Sequence, residues 1–191
     1  MGTFDGLENL IYCPYEDYNS GISTRLFFAP ASWFAKINLP TLSNYQDSVT
    51  IQQGGVVFKK GAWGSVDVLI DENELKNYLD GNQQRKKNRS ELNVYVLGFK
   101  AGILGFLEIY KNTPMVFGVI DSNGINWLIG NLRNRAFIDT GDVATGQKYE
   151  DNAGGAIKIS CKAGVLRMMD SFETVELTGA FTRGFSFAFK S

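Results

Sequence analysis

The sequence predicts a mainly β fold with one core helix, an α+β arrangement built as an antiparallel β-sandwich or barrel. Three observations carry this expectation. First, two hairpin signals lie in the second half of the chain. Residues 115–120 are apolar, break at Asp121-Ser122-Asn123-Gly124 and resume over 125–129, and later Glu150-Asp151-Asn152-Ala153-Gly154-Gly155 leads into 156–160. Asn-Gly and Gly-Gly supply the positive φ angles that tight turns need, so both stretches read as strand, turn, strand. Second, the chain holds 14 Phe, 8 Tyr and 21 Gly against 4 Pro. Aromatics suit a pleated, half-buried surface, and glycine without abundant proline suits many turns. Third, one segment alone has a helical period: over residues 101–112, Ile103, Leu107 and Tyr110 fall at i, i+4 and i+7. A length of 191 residues suits one β-rich domain, 1–191, with a sizeable core.

The elements follow in order. Leu10-Ile11-Tyr12 reads as a short strand before a loop through Pro14, and residues 25–29 as a second, closed by Pro30. Residues 33–39 alternate loosely and stop at Pro40. Segments 48–52, 56–60 and 63–70, joined at Gly54-Gly55 and Lys60-Gly61, read as an antiparallel meander. Period two puts Val66, Val68 and Ile70 on one face. Residues 71–91 change character and read as a polar loop insertion. Leu75 and Leu79, four apart, permit one or two helical turns; the rest, through Arg89, offers no core-facing residue. Residues 92–99 return to strand, with Val94 and Val96 opposed to Tyr95 and Leu97. In the helix, Gly102 and Gly105 each cost about 1 kcal/mol relative to Ala, and Pro114 ends it. Residues 135–139 read as a short strand, Thr140-Gly141-Asp142 and Thr145-Gly146-Gln147 as loops, and 165–169 and 173–177 as strands. The last strand, 181–189, carries Phe185, Phe187 and Phe189 on one face.

Candidate chemistry is sparse. The chain has no histidine, which removes the commonest general base, the commonest zinc ligand and every Ser-His or Cys-His pair. The expectation is a protein that is not an enzyme, with no catalytic, cofactor-binding or metal residues and no cofactor. Net charge is -1, so no nucleic-acid specificity and no attraction to an anionic membrane is expected. No apolar run approaches the roughly 18 residues that span a bilayer, and residues 1–6 lack the features of a secretory signal. Cys13 and Cys161 are too few for a disulfide scaffold; they read as buried thiols, with one bridge as the alternative.

The densest charge is Arg85-Lys86-Lys87-Asn88-Arg89. With no interleaved aromatic for base stacking, it reads as a solvated loop, and Arg85, Lys86, Lys87 and Arg89 are the candidate assembly loop between subunits. Asp139, Asp142, Glu150, Asp151 and Asn152 lack the spacing of an EF-hand, and turn-backbone hydrogen bonds explain them more simply. Asp67 and Asp71 are a weak candidate for a glycosidase pair. Trp33, Trp63 and Trp127 read as core residues rather than sugar platforms.

The span Phe117-Gly118-Val119-Ile120-Asp121-Ser122-Asn123-Gly124-Ile125-Asn126-Trp127-Leu128-Ile129-Gly130 resembles virion proteins from phages and prophages of Bacteroidetes-type bacteria, most of all tail tube proteins. Thr145-Gly146, Asp151-Asn152, Gly154-Gly155 and the alternation over 156–160 extend the likeness, which covers residues 92–191. The resemblance implies a barrel or sandwich of the tail tube type, and a subunit found in the virion and assembled in the bacterial cytoplasm. It also implies contacts with its own copies, in hexameric rings stacked into a tube, and with other tail proteins. It carries no site residues. A glycan- or receptor-binding β-sandwich, a head decoration or connector protein, and a carboxylate hydrolase are the other readings.

Overall fold

The computed structural model describes residues 20–41, 43–147 and 153–172. Twelve strands and one α-helix run in the order β1 (Ile22–Pro30), β2 (Phe34–Ile37), β3 (Thr50–Ile51), β4 (Val56–Phe58), β5 (Gly64–Asp67), β6 (Glu74–Asp80), β7 (Lys87–Leu97), α1 (Ala101–Tyr110), β8 (Met115–Asp121), β9 (Asn126–Ile129), β10 (Ala136–Ala144), β11 (Gly154–Cys161) and β12 (Leu166–Met168). The fold is mainly β with a single α-helix among the described residues.

Hydrogen bonding joins β5 to β1, β1 to β8, β8 to β10, β10 to β11 and β11 to β7. Just past β5, Val68 N–H donates to Thr24 O (2.8 Å) and Leu69 N–H to Tyr95 O (2.7 Å), so the last neighbour in this series meets the first. The result is a barrel whose interior holds Leu26, Leu92, Val94, Met115, Phe117 and Ile157, all at most 1% exposed. On the far side of β1, β8 and β9 a second core holds Phe27, Phe34, Phe58, Val116, Leu128 and Phe172.

Period two sorts the residues between the two cores. In β1, Leu26 and Phe28 face the barrel while Phe27 and Ala29 face the second core; in β8, Met115, Phe117 and Val119 face the barrel while Val116 and Ile120 face away from it. Strands buried on both faces read as unbroken apolar runs, which is why 26–29 and 115–120 show no polar alternation. The second core is an aromatic cluster. Phe34 and Phe58 stack at 4.4 Å, and Trp63 stands edge-on to both of them and to Phe172. Phe172 stacks on Phe27 at 4.6 Å in space left by Gly118, where a Cβ would run into its ring.

Helix α1 lies where its period placed it. Phe106 is its one buried side chain, set edge-on to Phe28 at 4.8 Å, with Ile103, Leu107 and Tyr110 half-buried against the barrel. The first hairpin also matches its sequence signal: β8 and β9 pair from Phe117↔Ile129 to Ile120↔Asn126, and Gly124 takes φ 78° in the turn. Asp121 fixes that turn, its Oδ1 accepting from Asn123 N–H and Ile125 N–H and its Oδ2 from Trp127 Nε1–H.

Several expectations need correction. The meander over 48–70 does not form: β3 pairs with β12, β4 with β2 and β5 with β1. Three successive strands thus leave for three partners, because their side chains fill two different cores. The β3–β12 pair is parallel, so the sheet is mixed rather than wholly antiparallel. Strand β5 ends at Asp67 and leaves Ile70 58% exposed. The polar loop insertion over 71–91 is a β-hairpin, with β6 pairing β7 from Glu74↔Asn93 to Asp80↔Lys87. Leu75 and Leu79 therefore lie on a strand, not on a helical turn. Thr140-Gly141-Asp142 is not a loop but part of β10, paired to Lys158, Ile157 and Ala156 after a register shift at 138–140. Gly154-Gly155 opens β11 instead of forming a turn. The expected strands at 10–12, 173–177 and 181–189, with Phe185, Phe187 and Phe189, lie outside the described residues, as do Cys13, Glu150, Asp151 and Asn152.

Cys161 ends β11 as a buried thiol whose Sγ–H donates to Asn134 O (3.3 Å). Burial pushes this thiol up from its ordinary value, and only the thiolate reacts readily. In the native protein at neutral pH, iodoacetamide is expected to spare Cys161, with labelling only after denaturation. Peptide mapping by mass spectrometry reads the outcome residue by residue.

Candidate assembly surface

The four basic residues singled out by sequence sit on one hairpin. Arg85 and Lys86 occupy the turn between β6 and β7, closed by Arg85 N–H donating to Asn82 O (3.0 Å), while Lys87 and Arg89 belong to β7 itself. The sequence concealed these strands because β6 (ELKNYLD) is exposed except at Leu75 and half-buried Asn73 just before it. A strand with water on both faces has no hydrophobic alternation to reveal it. β6 is also the last strand of the ten-stranded sheet. Its outer edge has no strand partner among the described residues, and Tyr78 and Leu79 are 39% and 59% exposed.

One ion pair crosses the hairpin, Asp80 Oδ2 meeting Arg89 Nε at 2.7 Å, while Lys76 meets Glu74 at 2.7 Å within β6. Glu91 is the hub, its Oε1 accepting from Tyr78 Oη–H (2.7 Å) and its Oε2 facing Lys158 Nζ at 3.1 Å. These contacts join β6, β7 and β11 across the outer face. The Tyr78 hydrogen bond first, then Lys158, holds the Glu91 carboxyl below its ordinary value of 4.5. The same hydrogen bonds raise Tyr78 and Lys158 above their ordinary values. A carboxyl depressed by folding stabilises the fold above its unfolded value, and that contribution disappears as pH falls through the folded value. Glu91→Gln is therefore expected to lower stability at neutral pH and to match the parent once the pH is well below 4.5. Thermal melts of both proteins between pH 7 and 3 measure the convergence.

Tertiary folding adds residues no local pattern could link to this hairpin. Lys87, Asn88 and Arg89 line an open concavity together with Asn134, Lys162 and Gly164. Register explains the meeting. Cys161 pairs with Ser90 on one side and Ala136 on the other, so Lys162 and Asn134, each just beyond its strand, project past the same end of the barrel as Arg89. Arg133 and Arg135 precede β10 at that end. The other end of β7 lies beside an acidic turn, Asp71-Glu72-Asn73-Glu74. Tyr95 N–H donates to Asn73 Oδ1 (3.0 Å), and Asp71 adopts φ 66° with its side chain in solvent.

The remaining candidates fall elsewhere. Asp67 faces Arg25 at 3.7 Å on an exposed face, and Asp71 lies in the exposed turn four residues on. Asp139 and Asp142 lie along β10, and among the described residues no three His, Cys, Asp or Glu side chains are grouped to hold a metal. Trp63 and Trp33 are both half-buried against the second core. Trp127 packs on the barrel core but also lines a cleft of about 380 Å³ with Leu75, Asn73, Asn77 and Asn123. No helix among the described residues is long and apolar enough to cross a membrane.

No protein-family model matches the chain, and no curated protein matches it significantly. Among solved structures, it is similar to a chain of the virion of a native gene transfer agent (GTA) particle, at 9% identity and a TM-score of 0.41, over 55% of this chain and 88% of that one.

Proposed function

We propose that this chain is a structural, non-enzymatic protein of a phage-like virion, a tail tube subunit whose copies close into rings that stack as a tube. The observation that carries this reading is the β6–β7 hairpin, an exposed, charged ribbon whose outer edge has no strand partner among the described residues, on an otherwise closed barrel. A free edge of backbone N–H and C=O groups is a template for pairing with another chain. The lack of histidine supports the non-enzymatic part. The resemblance over 117–130 supports the virion part, its Asp-x-Asn-Gly turn joining the paired strands β8 and β9. Ring closure would use the edge of β6 toward neighbouring copies, and Arg85, Lys86, Lys87 and Arg89 would face copies of the adjoining ring; other tail proteins would meet the ends of the tube.

Light scattering of the full chain across a hundredfold range of concentration tests this. Rings or tubes by negative-stain electron microscopy, with mass rising in multiples of the 21.2 kDa chain, are expected. A monomer at every concentration removes the reading.

One observation favours a second reading. The cleft beside Trp127 combines an indole with the side-chain amides of Asn73, Asn77 and Asn123, a lining that suits a sugar ring. Glycan-array binding abolished by Trp127→Ala in a protein that still melts cooperatively would establish it.

A further inference from the structure

We propose that the basic concavity at the Lys87 end of β7 receives the acidic Asp71-Glu72 turn of a second copy of this chain, joining copies head to tail. The inference rests on the self-assembly reading and names the contact between layers. The two surfaces lie at opposite ends of one strand. Lys87 opens β7, and the acidic turn is tied to Tyr95 through Leu69 N–H to Tyr95 O and Tyr95 N–H to Asn73 Oδ1. At about 3.3 Å per residue they stand roughly 26 Å apart along the strand. A copy shifted by that length along β7 brings its turn to the concavity of the first.

The shapes and charges match. The concavity is an open hollow walled by Lys87, Arg89 and Lys162, with the amides of Asn88 and Asn134 between them. The turn is a protrusion in which Asp71 and Glu72 are both exposed. Arg89 is held by Asp80, but among the described residues Lys87 and Lys162 have no ion-pair partner, and neither do Asp71 and Glu72. Among the described residues, each end therefore presents charge without an ion-pair partner. Such patches steer association and fix orientation more than they add raw affinity. A second copy suits the concavity better than nucleic acid does, because the chain carries the complementary surface itself and its net charge is only -1.

Sedimentation velocity of the full chain, in 0.1 M and 1 M NaCl, tests the contact. The screening length falls from about 10 Å to about 3 Å over that range, and association is expected to weaken at least tenfold. Two charge variants are compared with the parent, each first shown to melt cooperatively: Lys87→Glu with Lys162→Glu, and Asp71→Asn with Glu72→Lys. Asparagine keeps the backbone freedom that the positive φ at position 71 requires. Each variant alone is expected to lose association at least tenfold, because both its ends then carry the same sign. An equimolar mixture of the two is expected to recover it. If the parent associates but neither salt nor either variant changes the affinity, the head-to-tail contact is wrong while self-assembly stands. A parent that stays monomeric in both salts removes self-assembly and this contact with it. If Lys87→Glu with Lys162→Glu abolishes binding of a poly(dT) oligonucleotide and leaves association unchanged, the concavity is a nucleic-acid site and the proposal is overturned.

Discussion

Phe117→Ala is expected to destabilise the protein by about 3–5 kcal/mol, the range for deleting a fully buried phenylalanine. Phe117 is 0% exposed and stands in β8 between Phe28 of β1 and Ile129 of β9. Its side chain points into the barrel, where Leu26, Leu92, Val94 and Ile157 converge from other strands. Those strands are held by backbone ladders on both sides, so they cannot close in on the void, and the cavity term adds to the lost transfer energy. For a chain of this size the loss corresponds to a fall in Tm of roughly 6–20 °C. Denaturant unfolding is the more direct measurement: the midpoint falls while the slope stays constant, because both proteins expose nearly the same surface. Ile109→Ala is the control, since Ile109 is equally apolar but 68% exposed on α1 and is expected to change stability by no more than about 0.5 kcal/mol. A Phe117→Ala cost below about 1 kcal/mol would mean that no closed core surrounds β8.

The contrast between these two residues shows what was legible in the sequence. Helix α1 and the β8–β9 hairpin could be read because each satisfies a local rule. Ile103, Leu107 and Tyr110 repeat at the helical period, and Asp121 to Gly124 supply both the carboxylate and the positive φ that close a turn. Pairing between strands was not legible, because it is decided by which core a side chain enters. Segments 48–52, 56–60 and 63–70 look like one meander, yet Ile51, Val56 and Phe58 fill the second core whereas Val66 and Val68 pack on the barrel. The candidate surface was half legible. Arg85, Lys86, Lys87 and Arg89 stand out as a charge run, but Lys162 and Asn134 join them only through the register of β10, β11 and β7. No spacing along the chain encodes that meeting. Polar β6 carries no signal for the opposite reason: its partner strand supplies the order that its own sequence does not encode.

Gly155→Ala is the sharper test of that register. The Gly154-Gly155 pair looks like a turn, but Gly155 lies inside β11, paired to Val96 on one side and Val143 on the other. A Cβ there would collide with Asp142 O and come within 2.5 Å of Val143 Cα. Both are backbone atoms of the adjoining strand, so no side-chain rotation relieves the clash. Either the β10–β11 ladder opens locally or the strand slides, and a slide of one residue would turn Ile157 and Ile159 out of the core. The expected cost is about 2–3 kcal/mol, at the upper end for overpacking, with faster amide exchange confined to β10 and β11. Gly105→Ala is expected to act with the opposite sign. Its Cβ would meet nothing within 4 Å, and alanine in a helix interior gains up to about 1 kcal/mol over glycine. The same single-methyl change is thus expected to destabilise at one glycine and stabilise at the other. Equal effects at both sites would show that Gly155 is not wedged between two strands, and the placement of Lys162 beside Lys87 would fall with it.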